Sequence, residues 1–157
     1  MIMEIRFADN TDYREIEKIA IQGQCYHVAL RSDIYINSNE TNKIISEEQF
    51  SILINNKQLI VAVIEDNIKA YMTFEEKVIS NPLIIKRKVL FINNLAVDKQ
   101  FRNFGIANEM MMWVKAYAKK AKYEKIELQV NCSNEIAKKL YYKHGFKDKS
   151  LNMEYDI

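Results

Sequence analysis

The feature of this sequence that most constrains its fold is a direct junction between an apolar strand and an amphipathic helix. Residues 89–97 are almost continuously apolar, and the polar turn at residues 98–103 follows them without a gap. Residues 104–121 then place their apolar side chains on one helical stripe: Ile106, Met110, Trp113, Val114, Tyr117 and Ala121. A strand that leads into a one-sided helix indicates a fold that mixes α and β elements.

Hydrophobic periodicity divides the rest of the chain into further elements. Residues 3–7 alternate as a strand, and Asn10, Thr11 and Asp12 offer a cap for an amphipathic helix that reaches His27. The other predicted segments are a short helix over 46–54, an antiparallel hairpin of strands at 58–64 and 68–79, a strand at 125–130, a helix over 134–142, and terminal strands at 146–150 and 153–157. The order predicts an α+β or mixed-sheet arrangement.

Composition predicts one domain that covers residues 1–157. The chain has 48% hydrophobic residues, which is enough for one core, and only three glycines and one proline, which argues against linkers. Cys25 and Cys132 lack the spacing of a zinc or redox motif, as do His27 and His144. We therefore expect two reduced thiols, a cytoplasmic location and no metal. No apolar run approaches the roughly 20 residues of a membrane span.

Charge is distributed unevenly along the sequence. Residues 98–149 carry 12 Lys or Arg against 6 Asp or Glu, whereas residues 1–97 carry 11 against 13. The C-terminal third would attract an anionic ligand, although a solvated basic face gives the same pattern. No nucleic-acid-binding motif or aromatic platform with interleaved basic residues is present, so we expect no nucleic acid partner.

The turn after residues 89–97 has the composition of an anion-binding site. A helix that begins there leaves its first backbone N–H groups without partners and presents the positive end of its dipole. Gly105 permits a close approach of ligand to backbone, and the small Ala107 still allows it. Together with Arg102, these residues predict a site for a phosphate-like anion.

A second segment strengthens this prediction. Residues 131–146 carry Asn134, Ala137, Leu140 and Tyr141, followed by the pair Gly145 and Phe146. Both segments together resemble the GCN5-related N-acetyltransferase (GNAT) superfamily, whose pyrophosphate motif is Gln or Arg, two residues, Gly, one residue, and Gly or Ala. The resemblance covers nearly the whole chain. It implies a GNAT-like α+β fold with a central, mostly antiparallel, splayed sheet of six to seven strands and about four helices.

The resemblance also implies where acetyl-CoA binds. Backbone groups of Leu95, Ala96 and Val97 would meet the pantetheine arm, Asn134 would hydrogen-bond near it, and Tyr141 would lie beside the thioester sulfur as the general acid. The pyrophosphate would be wrapped by Arg102, Asn103, Phe104, Gly105, Ile106 and Ala107. Such a protein moves an acetyl group to a primary amine of a small molecule or peptide by direct attack, with no metal.

The general base is the point at which the sequence departs from many relatives. A lysine-like amine has a pKa of about 10.4, so something must accept its proton. Many relatives place a Glu on the central strand, but residues 89–97 hold no carboxylate. Glu75 is our first candidate, Glu76 and Glu127 are the others, and a water chain is a further option. Strand alternation sends Glu75 and Glu76 to opposite faces.

The acceptor side is less defined by the sequence. Residues 26–35 are rich in aromatic and ionisable groups and read either as a substrate wall or as a helix end where Arg31 and Asp33 pair locally. The acidic bias of residues 1–97 fits a cationic acceptor. We expect a homodimer in contact through the terminal strands. The alternative function is a non-catalytic acyl-CoA-binding sensor with the same fold.

Overall fold

The computed structural model describes residues 2–40 and 43–157. The strands are β1 (Met3–Phe7), β2 (Leu59–Ile64), β3 (Asn67–Asn81), β4 (Ile84–Val97) and β5 (Lys125–Leu128). The helices are α1 (Tyr13–Leu30), α2 (Glu47–Asn55), α3 (Ile106–Lys120) and α4 (Glu135–Lys143). Each predicted helix is present to within about two residues, apart from the first, which extends three residues past His27.

The five strands form one sheet in the order β1-β2-β3-β4-β5. Three pairings are antiparallel, and the pairing of β4 with β5 is parallel. The mixed α+β class and the four helices are confirmed, whereas the expected sheet of six to seven strands is wrong. The parallel pair follows from the α3 crossover, because a helical connection returns the chain in the same direction.

The missing strands are those predicted at residues 146–150 and 153–157, where the chain has no regular secondary structure. Leu151, Met153, Tyr155 and Ile157 alternate with polar residues as in a strand, yet all four are exposed. A strand needs a hydrogen-bonded partner as well as a period of two, and none pairs with this segment among the described residues. The tail is instead tied through its charged groups, with Glu154 bound to Arg31 at 2.5 Å.

Apolar clusters lie on both faces of the sheet. Phe74, Met72 and Leu90 pack with the apolar stripe of α3 on one face. Tyr71 and Val61 pack with α1 and Phe50 of α2 on the other. Residues two apart on a strand share a face as long as the ladder is regular, so Tyr71, Thr73 and Glu75 of β3 point to the second face and Met72 and Phe74 to the first.

Two local devices position α2 over the second face. Ser46 accepts a hydrogen bond from Gln49 N, and the Gln49 side chain accepts one from Ser46 N, so the helix begins with a capping box. Ahead of it, the carboxylate of Glu17 in α1 accepts hydrogen bonds from the backbone N–H groups of Ile44 and Ile45 at 2.6 and 3.0 Å. These hydrogen bonds hold the segment before α2 against α1.

No helix in the described ranges is both long and apolar enough to cross a lipid bilayer.

Candidate active site

The sheet opens along the second half of β4. β5 pairs with Val89 through Ile92 of β4, and no β5 partner exists beyond that point in the part of the chain that the structure describes. The opening coincides with an irregularity, because Thr73 pairs with Asn94 and the next β3 residue, Phe74, pairs with Ile92. Asn93 is therefore an extra residue in β4, which is a β-bulge. Beyond it, one edge of β4 borders a gap.

Leu95 and Val97 present their backbone groups to this gap. Antiparallel ladders alternate between residues that bond across the pair and residues whose N–H and C=O face away. Asp98 N donates to Lys69 O at 2.8 Å, so Ala96 and Asn94 also face β3, and Leu95 and Val97 face the opposite way. These are the two residues from which the resemblance implies backbone contacts to pantetheine.

The turn between β4 and α3 leaves a helix N-terminus free to bind an anion. Asn103 and Gly105 both have positive φ angles, 68° and 81°. Gly105 is the N-cap of α3, and no side chain of the described ranges caps that end. A Cβ built on Gly105 meets no atom within 4 Å, so space beside the backbone is open. The first N–H groups, from Ile106 onward, can therefore receive a phosphate oxygen.

Tyr26 of α1 lies between the two segments of the predicted donor site. Its hydroxyl donates to Asn134 Oδ1 at 3.3 Å, and the Arg102 guanidinium lies 5.7 Å from the centre of its ring. Arg102 Nε also donates to Val97 O at 3.3 Å. Asn134 Oδ1 caps α4 by accepting from Ala137 N at 3.1 Å, so its amide nitrogen is the group left for a ligand. Phe104, two residues after Arg102 in the turn, is exposed.

Tyr141 lies on α4 and packs against Phe146, with ring centres 5.7 Å apart, and against the core on the α3 face. Its hydroxyl has no hydrogen-bond partner among the described residues. Burial raises the pKa of Tyr141, because a low-dielectric environment disfavours the phenolate. The side chain therefore holds its proton at neutral pH, as a general acid must.

Two of the three candidate bases, Glu76 and Glu127, are each held by two partners. Glu76 accepts from the Tyr123 hydroxyl at 3.1 Å and pairs with Lys88. Glu127 bonds Lys149 at 2.5 Å and Arg87 at 3.2 Å. Burial alone raises the pKa of Glu127, but these two cations outweigh it and hold that pKa below its usual value. A carboxylate held in this way is a poor proton acceptor.

Glu75 lies on the face that carries Tyr71 and Thr73, because strand side chains alternate. It is directly opposite Phe91 and pairs with Lys77 on its own strand at 3.2 Å. It lies two residues along β3 from Thr73, whose partner Asn94 is next to the bulged residue Asn93. A proton leaving that region would reach it across about 7 Å of strand, a distance that a chain of two waters can bridge.

A pocket of about 310 Å³ opens on this same face. Its walls come from α2 and the segment before it, and its floor from Thr73 of β3 and Asn94 of β4. The wall residues are Ile44, Ile45, Gln49, Ile52 and Leu53. The floor thus lies at the bulge where the β4 edge opens, directly beside Leu95. Sequence reasoning missed Thr73 as a site residue, although the polar pair Asn93 and Asn94 inside an apolar strand was a usable signal.

Buried Tyr71 supports that floor. Asn94 Nδ2 donates to the Tyr71 hydroxyl at 3.2 Å. Burial raises the pKa of Tyr71, and the charge of Glu17 raises it further, so the phenol remains neutral. The other end of the Asn94 amide and the Thr73 hydroxyl have no hydrogen-bond partner among the described residues and are available to a ligand.

The segment at residues 26–35 shows the local pairing that was one of its two interpretations. Arg31 bonds both carboxylate oxygens of Asp33, at 2.9 and 2.7 Å, and Glu154 as well. His27 stacks on Tyr35 at 5.0 Å, and burial lowers the pKa of its ring. A second pocket, of about 280 Å³, lies beside Tyr35.

Within residues 2–40 and 43–157, no group of three His, Cys, Asp or Glu is placed to hold a metal ion.

Comparison with known proteins agrees with this geometry. The profile described as the acetyltransferase (GNAT) family matches residues 24–146, which is more than half of the chain. A tetramutant of the BH1408 protein from Bacillus halodurans is 27% identical, with a TM-score of 0.86 and coverage of 100% of both chains.

Two aminoglycoside acetyltransferases share the fold at lower identity. One, in complex with CoA, is 13% identical with a TM-score of 0.67, and the match covers 98% of each chain. The other, from an uncultured soil metagenomic sample and in complex with sisomicin, is 16% identical with a TM-score of 0.65, covering 99% of this chain and 96% of that one. None of the curated protein sequences matches this chain.

Proposed function

We propose that this chain, which belongs to the acetyltransferase (GNAT) family, transfers an acetyl group from acetyl-CoA to a primary amine of a small molecule or peptide. The observation that carries the proposal is the meeting of two features on β4. An open strand edge at Leu95 and Val97 leads into the uncapped N-terminus of α3, and a pocket on the neighbouring face reaches Asn94. A donor and an acceptor could thus meet at one strand.

The donor side suits acetyl-CoA, which supplies the acetyl group when bound. The backbone groups of Leu95 and the N–H of Val97 would pair with the amide groups of pantetheine as a strand does, while Arg102 bonds the Val97 carbonyl. The N–H groups at the start of α3, Gly105 and Arg102 would hold the pyrophosphate through hydrogen bonds and charge. The open space at Gly105 and the absence of a side-chain cap support this fit.

Two side chains would handle protons. Tyr141 keeps its phenolic proton at neutral pH and would give it to the departing thiolate of CoA. Glu75 would accept the proton of the amine through a short water chain, since it lies on the face of the acceptor pocket. The backbone of the 94–97 segment would polarise the carbonyl that the amine attacks.

The test is acetyl-CoA-dependent release of free CoA thiol in the presence of amines, for the wild type and for Tyr141→Phe. We expect turnover in the wild type, and a loss of about 100-fold or more in the variant. Tyr142→Phe is the matched control, because Tyr142 is exposed and bonds Asp148 instead. Donor affinity should be the same in all three proteins.

The alternative is a sensor that binds acyl-CoA without chemistry. The observation in its favour is that β4 carries no carboxylate. Under this alternative the wild type binds acetyl-CoA, no amine releases thiol, and Tyr141→Phe changes neither property.

A further inference from the structure

We propose that the acceptor is an amine attached to an uncharged aliphatic group, which occupies the pocket between α2 and the β3–β4 bulge. The proposal rests on the proposed acetyl transfer for the amine itself, but the chemistry of the pocket is argued from its own residues. This is a narrower class than the cationic acceptors that the acidic N-terminal half of the sequence favoured.

The walls of the pocket are aliphatic. Ile44, Ile45, Ile52 and Leu53 form most of the lining, and Ile52 is half exposed on α2 with no protein partner that covers it fully. A ligand that buries this surface gains roughly 25 cal/mol for each Å² of apolar area removed from water. An alkyl group therefore binds here, whereas a polar group that keeps its water shell does not.

Among the residues that the structure describes, no charged side chain lines the pocket. Glu17 is the carboxylate whose charge acts on the floor, where it raises the pKa of Tyr71. Both of its oxygens are bonded to the backbone N–H groups of Ile44 and Ile45. The Glu17 carboxylate is therefore already hydrogen-bonded to the backbone of the pocket wall. A cation in the pocket would have no carboxylate of the described residues to contact.

The floor offers two uncharged polar groups for one amine. The Thr73 hydroxyl and the free end of the Asn94 amide lie opposite each other on paired strands. Directly opposite residues have Cβ atoms about 5 Å apart, so one nitrogen can reach both. An amine nitrogen bound there would lie next to the open edge of β4.

The same chemistry explains how an amine could react without a carboxylate on β4. Burial beside aliphatic side chains disfavours the ammonium and lowers the pKa of a bound amine. The neutral, nucleophilic form is then more populated, and the demand on a base is smaller. A polyamine or an aminoglycoside would bring further ammonium groups into the same surroundings, each at a desolvation cost without compensation.

The experiment is an NMR titration of the protein, with and without saturating CoA, that follows the backbone amides of Thr73 and Asn94. The probes are straight-chain amines from ethylamine to hexylamine, 3-methylbutylamine and leucinamide, compared with spermidine and sisomicin. We expect affinity to rise about three- to fourfold per methylene until the pocket is filled. Spermidine and sisomicin should bind at least tenfold more weakly than 3-methylbutylamine.

Ile52→Ser should weaken 3-methylbutylamine binding about tenfold, because it removes apolar wall without adding charge. Ile21→Ser is the matched control, since Ile21 has a similar exposure, 41% against 51%, and lies on α1 outside the pocket. The chain-length series needs no variant, so the proposal stays testable if Ile52→Ser fails to fold.

Equal or tighter binding of spermidine or sisomicin would overturn the proposal, as would affinity that is independent of chain length. Failure of the proposed acetyl transfer is a separate result, namely no thiol release with any amine. In that case the titration still reports whether the pocket binds alkyl amines.

Discussion

The Tyr26 hydroxyl donates a hydrogen bond to Asn134 Oδ1, and this contact joins the C-terminal part of α1 to the N-cap of α4 across 108 positions of sequence. The same oxygen caps α4. The two halves of the donor site, on α3 and α4, are therefore connected through a residue of α1 that also lies under Arg102.

This contact predicts that Asn134→Ala loses more free energy of unfolding than Tyr26→Phe. Tyr26→Phe removes one partly buried hydrogen bond and should lower the free energy of unfolding by about 1 kcal/mol. Asn134→Ala removes that bond and the cap as well, so it should cost about 2 kcal/mol. Urea denaturation of both variants and the double variant measures the coupling. Additive losses in the double variant would mean that Tyr26 and Asn134 do not interact.

The backbone at Gly105 predicts a separation of stability from binding. Gly105→Ala places a Cβ at φ 81°, and Gly145→Ala places one at φ 84°, with open space around each. Both should lower the free energy of unfolding by about 1–2 kcal/mol. Only Gly105→Ala should also weaken acetyl-CoA binding, which calorimetric titration measures. Equal donor affinity in the two variants would contradict the assignment of the α3 N-terminus.

The raised pKa of Tyr141 predicts the alkaline side of the pH profile. A general acid works while it is protonated, and burial moves the pKa of this phenol above its usual value of about 10. The value of kcat should therefore show no decline that depends on Tyr141 between pH 7 and 9. A limb in that range that disappears in Tyr141→Phe would show that the pKa is not raised.

The position of Glu75 predicts which carboxylate takes the amine proton. Glu75→Gln should lower kcat/KM about 10- to 100-fold. Glu76→Gln should have little effect, because Glu76 lies on the opposite face and is bound by Tyr123 and Lys88. Steady-state assays at fixed pH compare the two. Equal losses, or a loss only in Glu76→Gln, would reverse the assignment.

The pairing of Glu127 predicts a pH-dependent contribution to stability. Arg87 and Lys149 hold the pKa of the folded state below its usual value, so the contribution is present above the unfolded pKa of about 4.3. It is lost as the pH falls through the folded pKa. Glu127→Gln should be less stable than the wild type at pH 7, on the order of 1–2 kcal/mol. The difference between the two proteins should shrink as the pH falls through the folded-state pKa of Glu127, as denaturation at each pH can show.

Local signals predicted the features that are determined locally. The start of the short helix at residue 46 and the turn with the glycine at position 105 depend on neighbours within three or four residues, and the structure has both. The strand-to-helix junction was also correct to within two residues at the start of α3. Such features need no knowledge of what the segment packs against.

Features that depend on distant partners could not be predicted in the same way. Residues 153–157 have the alternation of a strand, but whether they pair depends on a free edge elsewhere. The wall of the pocket between α2 and the bulge is held by hydrogen bonds from Ile44 N and Ile45 N to Glu17. These contacts span 27 and 28 positions of sequence. The bulge at Asn93 arises from the register of β4 on β3, which the sequence of one strand does not specify.

The central claim is that the open edge of β4 and the N-terminus of α3 form a binding site for acetyl-CoA. Isothermal titration of the wild-type protein with acetyl-CoA tests it most directly, with Gly105→Glu as the variant that places a carboxylate where a phosphate would bind. We expect micromolar binding in the wild type and none in the variant. Absence of binding in the wild type, or undiminished binding in Gly105→Glu, would contradict the account.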